Sequence, residues 1–169
     1  MGNAIDYVDV QTVPQTNQNQ RSQILRWLYS FVKRAFDIVC SFLGLFFLSP
    51  LFLYASIRIP LDSPGPVFFR GRRAGKGGKE FKILKFRTMY ERPESYDGLP
   101  LTTQNDDRLT RFGTWLSDTK LNELPQLWNV LIGEMSFVGP RPEDFDIAME
   151  WPEEIRAEVL SVRPGVTSP

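Results

Sequence analysis

The sequence contains no histidine, and this absence narrows the chemistry that its 169 residues can support. Without an imidazole the chain has no Ser-His catalytic triad, no histidine acid or base, and none of the commonest metal ligand. Any catalysis must therefore rest on carboxylates, amides, hydroxyls and the basic side chains.

Cysteine and net charge are almost as scarce. Cys40 is the only cysteine, so no intrachain disulfide can form and nothing indicates an oxidising compartment. The formal net charge is zero, which gives no overall electrostatic attraction for nucleic acid. We therefore expect no nucleic-acid partner.

One long apolar run does stand out, from Ile38 to Ile57, with no charge and with Ser49-Pro50 near its middle. Its 20 residues are about the length that a helix needs to cross a bilayer. Proline removes a backbone donor and clashes with the preceding turn, so we expect the helix to kink or break at Ser49 and Pro50. A secretory signal is not expected, because the run begins late and no small-residue cleavage site follows it.

Basic residues flank both ends of this run, with Lys33 and Arg34 before it and Arg58 and Arg70 after it. Positive charge marks the cytoplasmic side of a membrane. A re-entrant helix-break-helix, which enters the bilayer and returns, satisfies the rule at both ends, whereas a spanning helix satisfies it at one. A full span and a buried helix of a soluble core are the alternatives.

Composition divides the chain into three parts. Residues 1–20 are rich in Gln, Asn and Thr and lack apolar periodicity, so we predict a disordered tail. Residues 21–59 combine an amphipathic helix, interpreted as an interfacial lead-in rather than a helix on a soluble core, with the broken apolar run. Residues 60–169 form one small domain, whose final RPGVTSP has no capping element and is expected to be truncated. The predicted fold class is α+β: a re-entrant membrane element plus a mostly helical domain with a short β-hairpin.

The predicted hairpin pairs a strand at 67–69 with a strand at 81–89 across a glycine-rich turn. Lys85 and Arg87 are two residues apart in the second strand and therefore point the same way. Apolar neighbours indicate a partly buried setting, where cations usually need an anion. Solvated decoration of the strand is the alternative.

The densest stretch follows a short helix predicted from about Asp107 to Ser117. We predict a second helix that begins around Lys120, capped by Thr119, with an apolar face of Leu121, Leu124, Leu127, Trp128 and Leu131. Asn122 and Glu123 would then lie in its first turn, where the helix dipole and exposed N–H groups favour anions. Alternatively, Glu123 merely complements the dipole.

Arg141 lies between two prolines in Gly139-Pro140-Arg141-Pro142. An arginine fixed in this way loses little further entropy when it binds a phosphate. The segment is equally compatible with a rigid turn. The acidic segment 143–163, which contains Trp151-Pro152, is predicted to be a surface helix.

Seven segments in a fixed order carry a family resemblance. They are KRAFDIVCS, the apolar run broken at Ser49-Pro50, GPVFFR, FKILKFRTM, the D-x-R-x-T-x-x-G of Asp106 to Gly113, LNELPQLWNVLIGEMSFVGPRPE and RPGVTS. From Lys33 to Pro169 the chain resembles the bacterial sugar transferases, the monotopic phosphoglycosyl transferases that begin glycan assembly on a lipid carrier.

The resemblance implies an activity and its partners. A sugar 1-phosphate would pass from a UDP-sugar to a polyprenyl phosphate, such as undecaprenyl phosphate, with release of UMP. The resemblance also implies a re-entrant helix in the lipid bilayer, on the cytoplasmic face of the bacterial plasma membrane, and a Mg²⁺ cofactor. The sugar and the oligomeric state are not indicated.

The resemblance further implies roles for individual residues. Lys85, Arg87 and Arg141 match the phosphate-binding cations, and Glu123 matches the acid that helps to hold Mg²⁺. In the family this acid follows a nucleophilic Asp, which takes the phospho-sugar covalently, but here the pair reads Asn122-Glu123. Asn122 and Glu123 are therefore the catalytic candidates, with the nucleophile unassigned.

The amide at position 122 leaves three interpretations, because an amide is a far poorer nucleophile than a carboxylate. A natural subgroup would use another carboxylate or direct attack by the lipid phosphate. An inactivating substitution would trap the enzyme. A catalytically silent membrane partner of a glycan-assembly complex would bind nucleotide without turning it over.

Overall fold

The computed structural model describes residues 16–92 and 106–168, with side chains described from residue 23 onward. In chain order the elements are helices α1 (Thr16–Phe47) and α2 (Ser49–Asp62), strands β1 (Phe68–Ala74) and β2 (Glu80–Phe86), helices α3 (Arg111–Asp118) and α4 (Gln126–Ile132), strand β3 (Ser136–Val138), helices α5 (Phe145–Glu150) and α6 (Glu153–Val159), and strand β4 (Gly165–Thr167). Mixed helices and short strands, with one antiparallel hairpin, agree with the predicted α+β class.

Helix α1 begins at Thr16, earlier than the predicted start at Arg21. Once a helix is nucleated, each added residue gains one backbone hydrogen bond, so polar residues extend it without an apolar face. Residues 1–15 of the predicted tail and residues 93–105 of the predicted loop lie outside the described residues. Contacts divide the chain into two units after Ala35, and α1 contributes to both.

The predicted break at Ser49-Pro50 is confirmed. Helix α1 ends at Phe47 and α2 begins at Ser49, so Pro50 lies in the first turn of α2, where its missing N–H removes no helical bond. The Ser49 hydroxyl donates to the Phe46 carbonyl oxygen at 2.7 Å.

No single helix in the described part of the chain is both long and apolar enough to cross a membrane. Gln23–Phe47 and Ser49–Asp62 pass that test of length and composition only as a pair, and the pair is bent by 60°.

Large apolar side chains on both helices are exposed to solvent. In the first unit they are Ile24, Leu25, Trp27, Leu28, Tyr29, Phe31 and Val32. In the helices of the second unit they are Phe36, Ile38, Val39, Phe42, Leu43, Phe46, Phe47, Leu53, Tyr54, Ile57 and Leu61. Surfaces of this size on a soluble protein usually mark an interaction site.

The β1–β2 hairpin is the centre of the second unit. Its antiparallel register runs from Phe68 opposite Phe86 to Ala74 opposite Glu80, which confirms the predicted hairpin. The bounds of both strands differ from those predicted. Strand β1 continues through three arginines to Ala74, and β2 ends at Phe86.

Three buried apolar clusters all include residues of the hairpin. They are Ala55, Ile59, Phe86 and Leu116; then Phe81, Ile83, Val130 and Met135; and then Ala74, Ala148 and Leu160. Helix α2 therefore packs beside one end of the hairpin, α4 along its middle, and α5 and α6 beside its turn.

A second sheet was not predicted. Strands β3 and β4 are parallel, with Ser136 opposite Gly165 and Val138 opposite Thr167. A Cβ at Gly139 or Gly165 would overlap the backbone of the other segment, so both positions require glycine. A pairing across so many residues leaves no local periodicity to detect.

Buried Asp37 joins α1 to this sheet within the second unit. One carboxylate oxygen accepts from the Ser136 hydroxyl at 2.9 Å, and the other accepts from the Phe137 N–H at 3.3 Å. The side chain is buried, so these bonds replace the water that the carboxylate loses.

The single helix predicted over 143–163 is wrong. The structure has two short helices, α5 and α6, separated at Trp151-Pro152. Trp151 adopts an extended conformation with ψ of 147°, because the ring of the following proline disfavours helical geometry.

Candidate active site

Lys85 and Glu123 form an ion pair, with 2.8 Å between Lys85 Nζ and Glu123 Oε1. Lys85 lies near the end of β2, and Glu123 lies between α3 and α4. The side chains are 25% and 35% exposed, so the pair is partly shielded from water and still open to a ligand. The structure thus brings together two of the residues predicted from sequence.

Glu123 belongs to a 3₁₀ turn, Leu121–Glu123, and α4 begins only at Gln126. The predicted helix start at Lys120 is therefore wrong. Pro125 has no N–H to donate to the Leu121 carbonyl, where an α-helix would need one, so regular helical bonding restarts after it. Lys120 also has a left-handed φ of 59°.

Two further details of the predicted helix differ from the structure. The Thr119 hydroxyl does not cap it, because this group donates to the Trp115 carbonyl at 2.7 Å at the end of α3. The predicted apolar face is also divided, because Leu121 and Leu124 precede α4, and within α4 Leu127 is buried whereas Trp128 is 49% exposed.

Several neighbours set the pKa of Glu123. Burial raises it, but the hydrogen bond and positive charge of Lys85 lower it, with further lowering by a hydrogen bond from Gln126 and by the charge of Arg141. The net pKa of this carboxyl lies below its ordinary value. Glu123 is therefore a carboxylate at neutral pH, suited to accept hydrogen bonds or bind a cation.

Gln126 is the contact of Glu123 that the sequence analysis did not single out. It begins α4, and only 2% of it is exposed. A glutamine three residues after an acid, at the start of a helix, is the signal that points to it, because a turn brings such residues together. Its amide fixes the orientation of the Glu123 carboxylate.

Arg141 is exposed and acts on Glu123 through its charge. Its segment is held by β4, because the Gly139 N–H donates to Thr167 O at 3.1 Å and the Gly165 N–H donates to Pro140 O at 2.8 Å. Arg141 therefore acts on Glu123 together with Lys85, and its backbone is held in place by β4.

Arg87 has different surroundings from these three residues. Its guanidinium is buried, with Nη1 donating to the Pro64 carbonyl at 2.8 Å and Nη2 donating to the Ser63 carbonyl. Glu91 lies 3.8 Å from Nη1, and no partner for Nε occurs among the described residues. Arg87 thus holds the segment that leaves α2, and it also lines a cavity of about 410 Å³ beside the start of β1.

Asn122 precedes Glu123 in the same turn. Its Oδ1 is buried and has no hydrogen-bond partner among the described residues. A buried amide oxygen without a donor costs about 1–3 kcal/mol, so this atom is poised for a donor or a cation. An amide nitrogen or oxygen at this position is a weak nucleophile.

A magnesium ion fits the donors at this turn. No group of three or more His, Cys, Asp or Glu in the described ranges could hold a metal. Mg²⁺, however, is usually bound through one or two carboxylates together with substrate phosphates and water. Glu123 and the unpartnered oxygen of Asn122 are donors of the hard type that this ion prefers.

The arrangement is suited to phosphate chemistry. Phosphoryl transfer depends mainly on positioning and on neutralising charge at the phosphate oxygens. Lys85 and Arg141 supply two cations beside a carboxylate, on a strand and a turn that the core holds in place. Position 122 carries an amide, where the family resemblance implies a nucleophilic carboxylate.

Residues 28–169 match a family model described as bacterial sugar transferase. The chain belongs to the bacterial sugar transferase family. The residues grouped around Lys85 and Glu123 all lie within the matched region, which also contains α2 and the part of α1 from residue 28 onward.

Curated relatives share this region. An Aeromonas hydrophila protein named UDP-N-acetylgalactosamine-undecaprenyl-phosphate N-acetylgalactosaminephosphotransferase is 38% identical over 154 residues, covering 89% of this chain and 36% of the relative. An exopolysaccharide production protein of Rhizobium leguminosarum bv. phaseoli is 49% identical over 110 residues, covering 65% of this chain and 55% of the relative. A Caulobacter vibrioides UDP-glucose:undecaprenyl-phosphate glucose-1-phosphate transferase is 44% identical over 139 residues, covering 80% and 51%.

The chain spans less than two thirds of the length of these three relatives. Two of their names give different sugars, N-acetylgalactosamine and glucose, at similar identity. Both of these names give undecaprenyl phosphate as the acceptor, and together they do not select a sugar.

Proposed function

We propose that this chain is an initiating phosphoglycosyl transferase. It would move a sugar 1-phosphate from a UDP-sugar to a polyprenyl phosphate and release UMP. The observation that carries this proposal is the Lys85–Glu123 pair at 2.8 Å, with Arg141 close enough to lower the pKa of Glu123. In a family of sugar transferases, such a grouping is the natural place for a diphosphate.

The two cations have a definite role in this reaction. Cleavage of the diphosphate leaves negative charge on the departing UMP and on the transferred phosphoryl group. Fixed cations stabilise that charge more strongly in a partly water-excluded site than in bulk water. Lys85 and Arg141 would therefore bind the phosphates and stabilise the charge that develops on them.

Mg²⁺ is part of the proposal. When bound, it would neutralise diphosphate oxygens, and Glu123 would hold it together with substrate phosphates. Glu123 would then hold the ion while Lys85 and Gln126 orient its carboxylate.

The bent helix pair supports a membrane location. Exposed apolar side chains cover both helices, and the flanking charges Lys33, Arg34, Arg58 and Arg70 are positive on both sides. We propose a re-entrant element in the lipid bilayer, with both ends on the cytoplasmic face of the bacterial plasma membrane. A polyprenyl substrate stays in the bilayer because each buried methylene contributes about 0.8 kcal/mol.

A second candidate function follows from Asn122. An amide in place of the family's nucleophilic Asp favours a catalytically silent partner of a glycan-assembly complex, which would bind nucleotide through the same cations. The two candidates differ in one property, turnover by the chain with its own residue at position 122.

The decisive experiment measures UMP release by the purified chain in detergent or nanodiscs. The assay contains Mg²⁺, a polyprenyl phosphate and a panel of UDP-sugars, with Asn122→Asp assayed in parallel. Glu123→Gln is the matched control, because it changes the adjacent acid and is expected to abolish release in both backgrounds.

Release by the unaltered chain supports the transferase and shows that Asn122 is no barrier. Release only by Asn122→Asp means a sound site without its nucleophile, which supports the silent partner. Silence from both chains with every sugar overturns the transferase proposal for this chain.

A further inference from the structure

Asn129 is a polar residue at the centre of the unit. It lies in α4, and only 1% of it is exposed. Its Oδ1 accepts from the Leu84 N–H at 3.0 Å, and its Nδ2 donates to the Lys82 carbonyl at 2.9 Å. One side chain thus binds a donor and an acceptor of β2.

These two backbone groups lie on the open edge of β2. Among the described residues the sheet has two strands, with β1 on the other side, and no further strand pairs with β2. Backbone groups at a partly buried edge need hydrogen-bond partners, and a carboxamide offers both a donor and an acceptor, as the backbone of a third strand would. Asn129 therefore closes the sheet edge.

A carboxylate fixes the orientation of the amide. Nδ2 also donates to Glu134 Oε2 at 2.6 Å, so the nitrogen faces two acceptors and the oxygen faces one donor. The reversed amide would lose all three bonds, which settles which atom points to β2. The charge of Glu134 strengthens its bond to the amide.

This closure is adjacent to the candidate active site on both sides. Lys85 directly follows Leu84, the residue whose N–H Asn129 binds. Gln126 lies three residues before Asn129 in α4, hence on the same helix face, and bonds to Glu123. One face of α4 therefore contacts the segments that carry both members of the Lys85–Glu123 pair.

We propose that Asn129 is a positioning residue, which holds the edge of β2 so that Lys85 Nζ meets Glu123. The catalytic part of this inference rests on the proposed function. A displacement of about 1 Å at a reacting centre can cost roughly 100-fold in rate. Without Asn129, water must satisfy Leu84 and Lys82, and the strand shifts away from α4 to admit it.

The first test measures the position of Lys85 without any substrate. An amine-reactive acylating reagent is applied to the full chain in detergent, and labelling at each lysine is followed by mass spectrometry. Asn129→Ala is expected to raise the labelling rate of Lys85 about tenfold, the change that a weakening of the pair by ~1.4 kcal/mol would produce. Exposed Lys79 is the internal reference, with no expected change.

Two further variants make the test specific. Asn129→Asp keeps the shape but directs a carboxylate at Lys82 O and at Glu134, and it should raise Lys85 labelling at least as much. Ile83→Val removes buried volume from the same strand without touching its edge, so it should lower the unfolding midpoint and leave Lys85 labelling unchanged. If Asn129→Ala does not fold, Glu134→Gln weakens the orientation of Asn129 and should give a smaller rise.

The second test is a double-mutant cycle on UMP release. Asn129→Ala should lower turnover roughly 10- to 100-fold when Lys85 is present and less than about twofold in a Lys85→Ala chain. A purely structural residue would give the same factor in both chains.

The outcomes are separable. Lys85 labelling that stays unchanged in the Asn129 variants, or that rises equally in Ile83→Val, overturns the positioning role. Equal losses of turnover in both chains of the cycle overturn its link to the reaction. An absence of turnover from every chain overturns the proposed function alone, because labelling of Lys85 decides the placement without substrate.

Discussion

The two ends of the β1–β2 hairpin are both charged, and their surroundings differ. At the turn end, Arg72 pairs with Glu80 at 2.9 Å and with Asp146 at 3.1 Å, and these side chains are 49%, 38% and 70% exposed. At the opposite end, Lys85 meets a half-buried Glu123 and Arg87 is buried against carbonyls. Exposed ion pairs contribute little to the free energy of unfolding. Buried charges, in contrast, need an ion-pair or hydrogen-bond partner. Environment, rather than the number of cations, therefore distinguishes the end that we propose as the ligand site.

Lys85 and Arg87 also differ from each other, although both lie near the buried end of the hairpin. They are two residues apart in the sequence, with Lys85 in β2 and Arg87 just after its end, and both are predicted to bind phosphate. Lys85 contacts a carboxylate beside Arg141, and Arg87 donates to the carbonyls of Ser63 and Pro64. A phosphate role for Arg87 stays a prediction, and its described contacts point to a structural one as well.

The largest expected effect separates the two ends by activity. Lys85→Gln should lower UMP release roughly 10²- to 10³-fold, because it removes a fixed charge that stabilises the transition state. Arg72→Gln, the matched change at the exposed end, should stay within about twofold. Initial rates at saturating substrate test this, and equal losses at the two ends would break the comparison.

Arg87→Met should give the largest loss of stability. It leaves the Ser63 and Pro64 carbonyls without a donor, at a cost of about 3 kcal/mol in the free energy of unfolding. Urea unfolding followed by tryptophan fluorescence measures this, with Arg87→Lys expected to restore part of the loss. A cost no greater than that of Arg72→Met would contradict the structural role.

Asp37→Asn should cost about 1–2 kcal/mol in the free energy of unfolding, because the amide keeps one acceptor for the Ser136 hydroxyl and loses the other for the Phe137 N–H. The same urea titration measures this value. Ser136→Ala is the control, since it removes only one of the two bonds. Unfolding free energies for Asp37→Asn equal to those of the parent would show that this buried carboxylate is dispensable.

The pH dependence of the Lys85–Glu123 pair should be smaller. Because the pKa of Glu123 is lower in the folded chain than the ordinary 4.5, the pair stabilises fully above that value. Its contribution is lost as the pH falls through the lowered pKa. The difference in unfolding midpoint between the parent and Glu123→Gln should therefore shrink from pH 6 to pH 3. A constant difference would mean that the pair contributes nothing to stability.

Arg72→Ala should have the smallest effect, below about 1 kcal/mol, since its ion pairs are exposed. Raising the salt concentration should reduce even this difference, because surface charges are screened within about 10 Å at 0.1 M salt. Urea titrations at low and high salt measure it. A loss as large as that of Arg87→Met would mean that the turn end is not merely a solvated network.

Features with a local cause could be predicted from the sequence. Pro50 breaks the apolar helix, and the glycine-rich turn joins the strands, because each acts on its own backbone. The sequence predicts that Lys85 and Glu123 belong to one site, but it does not predict that they form an ion pair. Leucines at helical spacing predict a helix from Lys120. Pro125 has no N–H to donate to the Leu121 carbonyl, so this helix cannot form.

Features that depend on distant contacts were decided by the tertiary structure. The sequence by itself determined the broken apolar helix, the hairpin, the absence of histidine chemistry and the amide at position 122. Only the fold decided that Asn129 closes the edge of β2, that Arg87 binds carbonyls and that β3 pairs with β4. The reason is physical: a residue's type fixes which bonds it can make, and the packing of remote segments decides which partner is within reach.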